Sequence, residues 1–213
     1  EPSLFELAGI GGDVRSVIGD LRDEQAVRAA VGTADPEIVL HLAAQPLVRR
    51  SIAQPIETFA TNVQGTAHLL NALRERKTLT AVLVVTSDKV YLNDQQGRPF
   101  VEGDELGGKD PYAASKAAAE IVVCSFAASY FDKASVPVAT ARAGNIIGGG
   151  DFAEDRLVPD IVRAIQKKQR LVLRHPEATR PWQHVLDCVA GYLLYAEALA
   201  QNRDTPRALN FGP

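Results

Sequence analysis

The chain has 213 residues, 46% of them hydrophobic and 23% charged, a balance that suits a soluble globular protein with a sizeable core. Its formal net charge of −3 gives no electrostatic drive toward nucleic acid or acidic membranes. The longest apolar stretches, such as Thr80 to Thr86, are too short to span a bilayer, and no basic-then-apolar leader opens the chain, so the expected location is cytoplasmic. In chain order, Gly9, Gly11 and Gly12 come first. No apolar strand precedes them and their spacing misses G-x-G-x-x-G, so they read as a loop. Strands are predicted at Arg15–Ile18 and Ile38–Leu42. A helix follows over Ile56–Arg76, where Phe59, Val63, His68 or Leu69, and Leu73 recur near the helical period. Then come a strand at Ala81–Val85, a helix over Pro111–Phe131 and a strand at Val136–Ala141. A helix at Pro159–Lys168, a short strand at Leu171–Leu173, a helix at Val185–Leu199 and a strand at Ala208–Phe211 complete the chain.

Most of these strands lack polar alternation, as strands buried on both faces of a parallel sheet do. Their alternation with helices predicts an α/β fold, a Rossmann-like doubly wound parallel sheet. Residues 1–147 are expected to form the dinucleotide-binding domain. Residues 148–213 would form part of a smaller substrate-binding region whose last helix and strand return to the main sheet. The opening strand, glycine-rich turn and helix of a dinucleotide fold are not found. The chain therefore reads as a fragment cut at both ends, expected to bind a dinucleotide only weakly alone. Cys124 and Cys188 sit in apolar, helix-like surroundings and are expected to be buried free thiols. His41 reads as a packed core residue, His68 and His175 have no partner at metal spacing, and no metal site is expected.

The strongest chemical signal is Tyr112-Ala-Ala-Ser-Lys116. Side chains at i and i+4 of a helix share a face, about 5–6 Å apart at Cβ. An ammonium there favours the phenolate and makes the tyrosine a usable base. Asp110-Pro111 caps the start of that helix. Upstream, the strand Ala81–Val85 ends in Thr86-Ser87-Asp88-Lys89, and the carboxyl ends of strands are where open α/β sheets bind ligands.

Together with His41-Leu42-Ala43-Ala44, Asn62 and Arg142-Ala143-Gly144-Asn145, these residues resemble the extended short-chain dehydrogenase/reductase family. More narrowly, Ala43-Ala44-Gln45-Pro46-Leu47-Val48-Arg49, Leu106-Gly107-Gly108, Gly148-Gly149-Gly150-Asp151 and Arg180-Pro181-Trp182-Gln183-His184-Val185 resemble its CDP-glucose 4,6-dehydratase branch. Related dehydratases carry Asp-Glu where this chain has Asp88-Lys89, and that lysine points to the same branch. The resemblance implies NAD as cofactor and a nucleotide-diphosphate sugar as substrate. Tyr112 would take the sugar 4-hydroxyl proton, and Lys116 would hold the nicotinamide ribose and depress the tyrosine pKa. Ser87 would bond the 4-oxygen and Asp88 would protonate the departing 6-hydroxyl. Lys89 stands either as the base for the C5 proton or as a charge that stabilises the enolate.

The resemblance also assigns Asp20, Leu21, Ala43, Ala44, Gln45 and Asn62 to the dinucleotide. Asp20 has a second reading as a helix cap, because Asp23-Glu24 follow it. Asn145 and Arg180 would meet the sugar diphosphate with Arg156 and Arg174 as helpers, a guanidinium fork being suited to a pyrophosphate. Gly148–Gly150 would provide the crossover into the substrate region, and Trp182 would pack at its boundary. Helices Ile56–Arg76 and Pro111–Phe131 are where the family builds a homodimer through a four-helix bundle. Two other readings remain at this point. One is a 4-epimerase or decarboxylase of the same fold, which needs no acid–base pair at Asp88-Lys89. The other is a non-catalytic NAD-binding homologue.

Overall fold

The computed structural model describes residues 3–93, 97–173, 176–201 and 203–213. In chain order the elements are α1 (Leu4–Leu7), α2 (Glu24–Ala34), β1 (Ile38–His41), α3 (Val48–Ala53), α4 (Pro55–Phe59), α5 (Gly65–Leu73) and β2 (Ala81–Val85). They continue with α6 (Pro111–Phe126), β3 (Val138–Ala143), β4 (Asn145–Ile147), α7 (Leu157–Gln166), β5 (Trp182–His184), α8 (Val185–Ala200) and β6 (Ala208–Phe211). Four strands pair in parallel in the order β1-β2-β3-β6. The register sets Val84 beside His41 and Thr140, and Ala141 beside Leu209.

Period-two alternation divides the core into two layers. Val82 and Val84 pack with Val27, Leu70, Leu73, Val123, Phe131 and Val138, under α2, α5 and α6. Ala81 and Leu83 face the other way, onto Ala139, Ala141, Tyr192, Tyr195 and Leu199, under α8. Helices thus cover both faces of the sheet, which is why its strands carry no polar alternation. The expected Rossmann-like α/β sheet is present.

The predicted helix Ile56–Arg76 is α4 and α5 joined by a π-helical turn at Ala60–Gln64, and the predicted helix Pro111–Phe131 is α6 extended by a π turn at Ala127–Phe131. Such widened turns recur at functional sites, and the first of them carries Asn62.

Several expectations are corrected. Arg15–Ile18 forms no strand, and Val17 and Ile18 stand exposed. β-branched residues predict a strand only where a neighbour offers a ladder, and none reaches this segment. Leu171–Leu173 is likewise irregular. β4 and β5, which were not predicted, pair in parallel as a separate two-stranded sheet. Cys124 lies exposed on the outer face of α6, whereas Cys188 is buried. Among the described residues no helix is long and apolar enough to cross a membrane.

Candidate active site at the strand ends

Where β2 ends, the backbone turns once through a 3-10 helix, Asp88–Val90. Ser87 holds this turn, its hydroxyl accepting from the Lys89 amide at 3.2 Å and donating to Asp88 Oδ1 at 3.1 Å. Burial pushes the Asp88 carboxyl up, against the Ser87 hydrogen bond and the charges of Lys89 and Arg180. Lys89 is exposed, with its Nζ over the Tyr112 ring, 5.8 Å from the centroid.

Helix α6 brings the second half of the site. The Asp110 carboxylate caps it by accepting from the Ala113 amide at 3.0 Å. Gly108 lies against this first turn, and a Cβ on it would fall 2.2 Å from the Ala114 nitrogen, so only glycine fits. The Tyr112 amide donates to Ser51 Oγ at 3.1 Å, which ties α3 to the same turn.

Tyr112 and Lys116 are both buried. Burial pulls the Lys116 amine down to about 8, against the opposing pull of Glu120. The amine donates to the Val85 carbonyl at 3.0 Å. Burial also pushes the Tyr112 phenol up, and the Asp88 charge adds to that, while the Ser87 hydroxyl and the Arg156 charge oppose it. Burial outweighs the expected lowering of the tyrosine by Lys116. The amine is engaged with the backbone of β2, and burial dominates at the phenol.

Of the expected dinucleotide residues, Asp20, Leu21, Ala43, Ala44 and Gln45 wall a cleft of about 410 Å³ with Arg156 at its rim, and Asn62, Tyr112 and Lys116 stand outside its wall. Leu21 reaches this wall because Gly65 has no side chain: a Cβ there would stand 2.7 Å from Leu21 Cβ. His68 Nδ1 donates to the Leu21 carbonyl at 3.0 Å, which fixes its tautomer. Sequence reasoning weighed His68 as a position on the helix face and as a metal ligand, and missed this anchoring.

Asp20 is exposed and paired with Arg22, whose hydrogen bonds hold its carboxyl down at about 2. The cap of α2 is Asp23, which accepts from the Gln25 and Ala26 amides, so the helix-cap reading of Asp20 is set aside.

Asn62 and Gln45 are buried and spent on each other and on their neighbours. Asn62 accepts from the Gln45 amide at 2.8 Å and donates to the Gln45 carbonyl and to Ser115 Oγ. Gln45 Nε2 donates to Thr58 Oγ1 at 2.8 Å. These side chains shape the cleft wall from behind. The small Ala43 and Ala44 line the cleft at the end of β1 and leave room there for a dinucleotide. Lys116, outside the cleft wall, is a buried three-donor group with one hydrogen bond to the described residues.

Asn145 is half-buried on β4, and Arg156 pairs with Asp151 at 2.9 Å. Arg180 is exposed, donates to the Thr179 carbonyl at 2.7 Å and is felt by Asp88. Arg174 and His175 lie outside the described residues. Sequence reasoning also missed Glu120. Its carboxylate, one turn beyond Lys116, is buried against Arg142, Thr86 and Thr140. A lone acid in the run Lys116-Ala-Ala-Ala-Glu120 and a lone arginine inside an apolar strand were the available signals.

A parallel sheet with a Tyr-x-x-x-Lys helix beside a dinucleotide cleft defines a class of NAD(H)-using enzymes. The pattern of the NAD dependent epimerase/dehydratase family matches residues 5–212, and the chain belongs to that family. It is 45% identical over 218 residues to the CDP-glucose 4,6-dehydratase of Salmonella typhimurium strain LT2, covering 100% of this chain and 61% of that protein. Among solved structures it is similar to the double mutant of DesIV, a dTDP-glucose 4,6-dehydratase from Streptomyces venezuelae, with NAD and DAU bound. The TM-score is 0.82 at 29% identity, over 97% of this chain and 61% of that one. A UDP-glucuronic acid 4-epimerase from Bacillus cereus shares the fold, with a TM-score of 0.81 at 18% identity over 98% of this chain and 63% of that one. The chain thus spans about three fifths of the length of these relatives.

Proposed function

We propose that the protein is an NAD-dependent nucleotide-sugar 4,6-dehydratase, a hydro-lyase that converts CDP-glucose to CDP-4-keto-6-deoxyglucose. The observation that carries this reading is the meeting of a half-buried acid, Asp88, with the Tyr112–Lys116 pair around one serine. An epimerase or decarboxylase has no use for an acid whose proton affinity burial raises at that point. The likeness to the Salmonella enzyme supports CDP as the nucleotide.

Tyr112 takes the proton of the sugar 4-hydroxyl, with Ser87 hydrogen-bonded to the same oxygen. Its phenol must come down for this, which requires positive charge beside it, from Lys116 turning off Val85 or from the cofactor. Asp20, Leu21, Ala43 and Ala44 would hold NAD, which would supply reversible hydride acceptance, from C4 and back to C6. Once C4 is a ketone the C5 proton is acidic. Asp88, whose carboxyl burial keeps raised, gives its proton to the 6-hydroxyl as water leaves. Lys89, exposed beside Tyr112, takes the C5 proton, stabilises the enolate oxygen once it holds that proton, and returns it to C5 when hydride reaches C6. Asn145, Arg156 and Arg180 hold the sugar diphosphate, and Asp20, Leu21, Ala43 and Ala44 line the dinucleotide. The working unit is a cytoplasmic homodimer joined through the α4–α5 and α6 helices.

Incubation of the intact protein with CDP-glucose and with dTDP-glucose, scored for the 4-keto-6-deoxy product, tests the reading. Turnover of the first and little of the second is expected. Equal turnover would remove the CDP assignment and leave the reaction class standing. Tyr112→Phe is expected to lower kcat by roughly 10²-fold or more, and normal turnover in that variant would sink the mechanism.

A further inference from the structure

A turn that carries reactive side chains has to be held at both ends, because unpaired backbone fluctuates freely. Both ends of the Ser87–Lys89 turn are held by one buried ion pair. At the entry, Thr86 Oγ1 donates to Glu120 Oε1 at 2.5 Å. At the exit, Arg142 Nη1 donates to the Tyr91 hydroxyl at 3.0 Å, and that hydroxyl donates to Asn210 Oδ1 on β6 at 2.6 Å. Arg142 grips Glu120 through Nε at 3.1 Å and Nη2 at 2.8 Å, and Thr140 Oγ1 supplies a further bond at 2.8 Å. Glu120 is 1% exposed and Arg142 6%. Glu120 follows Lys116 by one turn of α6, so the same carboxylate belongs to the helix that bears Tyr112 and Lys116.

A buried ion pair is a poor source of stability, since apolar residues of like volume often do as well. What they cannot supply is direction. The planar guanidinium offers donors along fixed lines, here to Glu120 on one side and to Tyr91 and the Glu102 carbonyl on the other. Through those lines the position of the turn is tied to the position of the helix.

We propose that Glu120 and Arg142 are positioning residues that hold the Ser87–Lys89 turn in register with Tyr112 and Lys116, an inference that rests on reading those five as the reacting groups. Thr86 and Tyr91 are the hooks on the turn, and neither touches substrate.

The test uses the intact protein with Thr86→Val, Tyr91→Phe and the paired Glu120→Gln/Arg142→Met, none of which leaves a buried charge alone. Backbone amide exchange over residues 87–91 is measured beside kcat and KM for nucleotide-sugar turnover. Exchange in the turn is expected to rise about tenfold in each variant, and kcat to fall by about tenfold or more at little-changed KM, the penalty of misplacing reacting groups by a fraction of an ångström. Thr86→Ser, which restores the hydroxyl, is expected to recover both. Wild-type exchange and wild-type kcat in Thr86→Val and in the paired variant would overturn the proposal. Raised exchange in the variants of a protein that itself turns over no nucleotide sugar upholds the clamp and overturns the functional reading instead, so the two failures are told apart.

Discussion

Lys116 carries a cost that depends on pH. Its amine is drawn from 10.5 to about 8 by burial, so between these values the unfolded chain binds more protons than the folded one. Stability therefore rises with pH across that window and is lowest below it, where the buried amine is fully charged. The swing is at most about 3 kcal/mol, from the size of the shift. Tyr112 acts in the opposite sense at the alkaline end, because its raised phenol stays protonated after the unfolded one has ionised. Chemical denaturation of the intact protein between pH 8 and 10 should show a rising midpoint, and Lys116→Met should flatten it. His41 gives a second window. Thr66 Oγ1 donates to the Asn62 carbonyl, so His41 Nε2 must donate to Thr66 Oγ1. Burial, with Lys116 beside it, draws its pKa from 6.5 to about 4, and that stability is lost as pH falls through this interval. His41→Gln should weaken that acid dependence, and an unchanged profile would mean another group titrates there.

At the scale of elements, the site depends on how closely two segments can approach. Gly108 rests on the first turn of α6, where any side chain would collide with backbone. Gly108→Ala should cost about 1–3 kcal/mol through overpacking and lower kcat as well, because the displaced turn carries Tyr112. A thermal melt beside a turnover assay checks both. The same helix shows what the sequence could reveal. Its cap, its first-turn proline and its apolar period are all local, and the predicted span Pro111–Phe131 matches α6 with its π extension. The turn at Ser87–Lys89, whose catalytic role is proposed, was legible too, as hydroxyl, acid and amine at a strand end. Arg15–Ile18 was misread because strand character is completed by a partner, which composition cannot supply. The pairing of β4 with β5 joins segments far apart in the chain, and the Glu120–Arg142 bond crosses from helix to strand. The raised phenol of Tyr112 was hidden for the same reason: burial is set by the whole fold, and the Tyr-x-x-x-Lys spacing reports only one neighbour.

At the scale of the whole molecule, apolar helical surfaces lie on each side of the sheet among the described residues. On the α4–α6 side Ile56 is 81% exposed and Ile121 62%. On the α8 side Leu186, Leu193 and Leu194 also face outward. A contiguous apolar patch left in water marks an interaction surface, whereas single exposed apolar side chains are ordinary. The proposed homodimer commits to the first surface, where α4 packs against α6 and both present isoleucine outward. That arrangement would set the dimer contact on the helix that bears Tyr112 and Lys116, so assembly would stiffen the catalytic helix from outside as Glu120 does from within. A charge introduced at the centre of such a contact must be desolvated unpaired, so Ile56→Glu with Ile121→Glu should weaken dimerisation by roughly 10²-fold or more. Leu193→Glu with Leu194→Glu should leave it unchanged. Sedimentation velocity of the intact protein and the two variants decides between the surfaces. A dimer that survives the isoleucine changes and dissociates on the leucine changes would move the interface to α8, and a wild type that sediments as a monomer would remove the dimer.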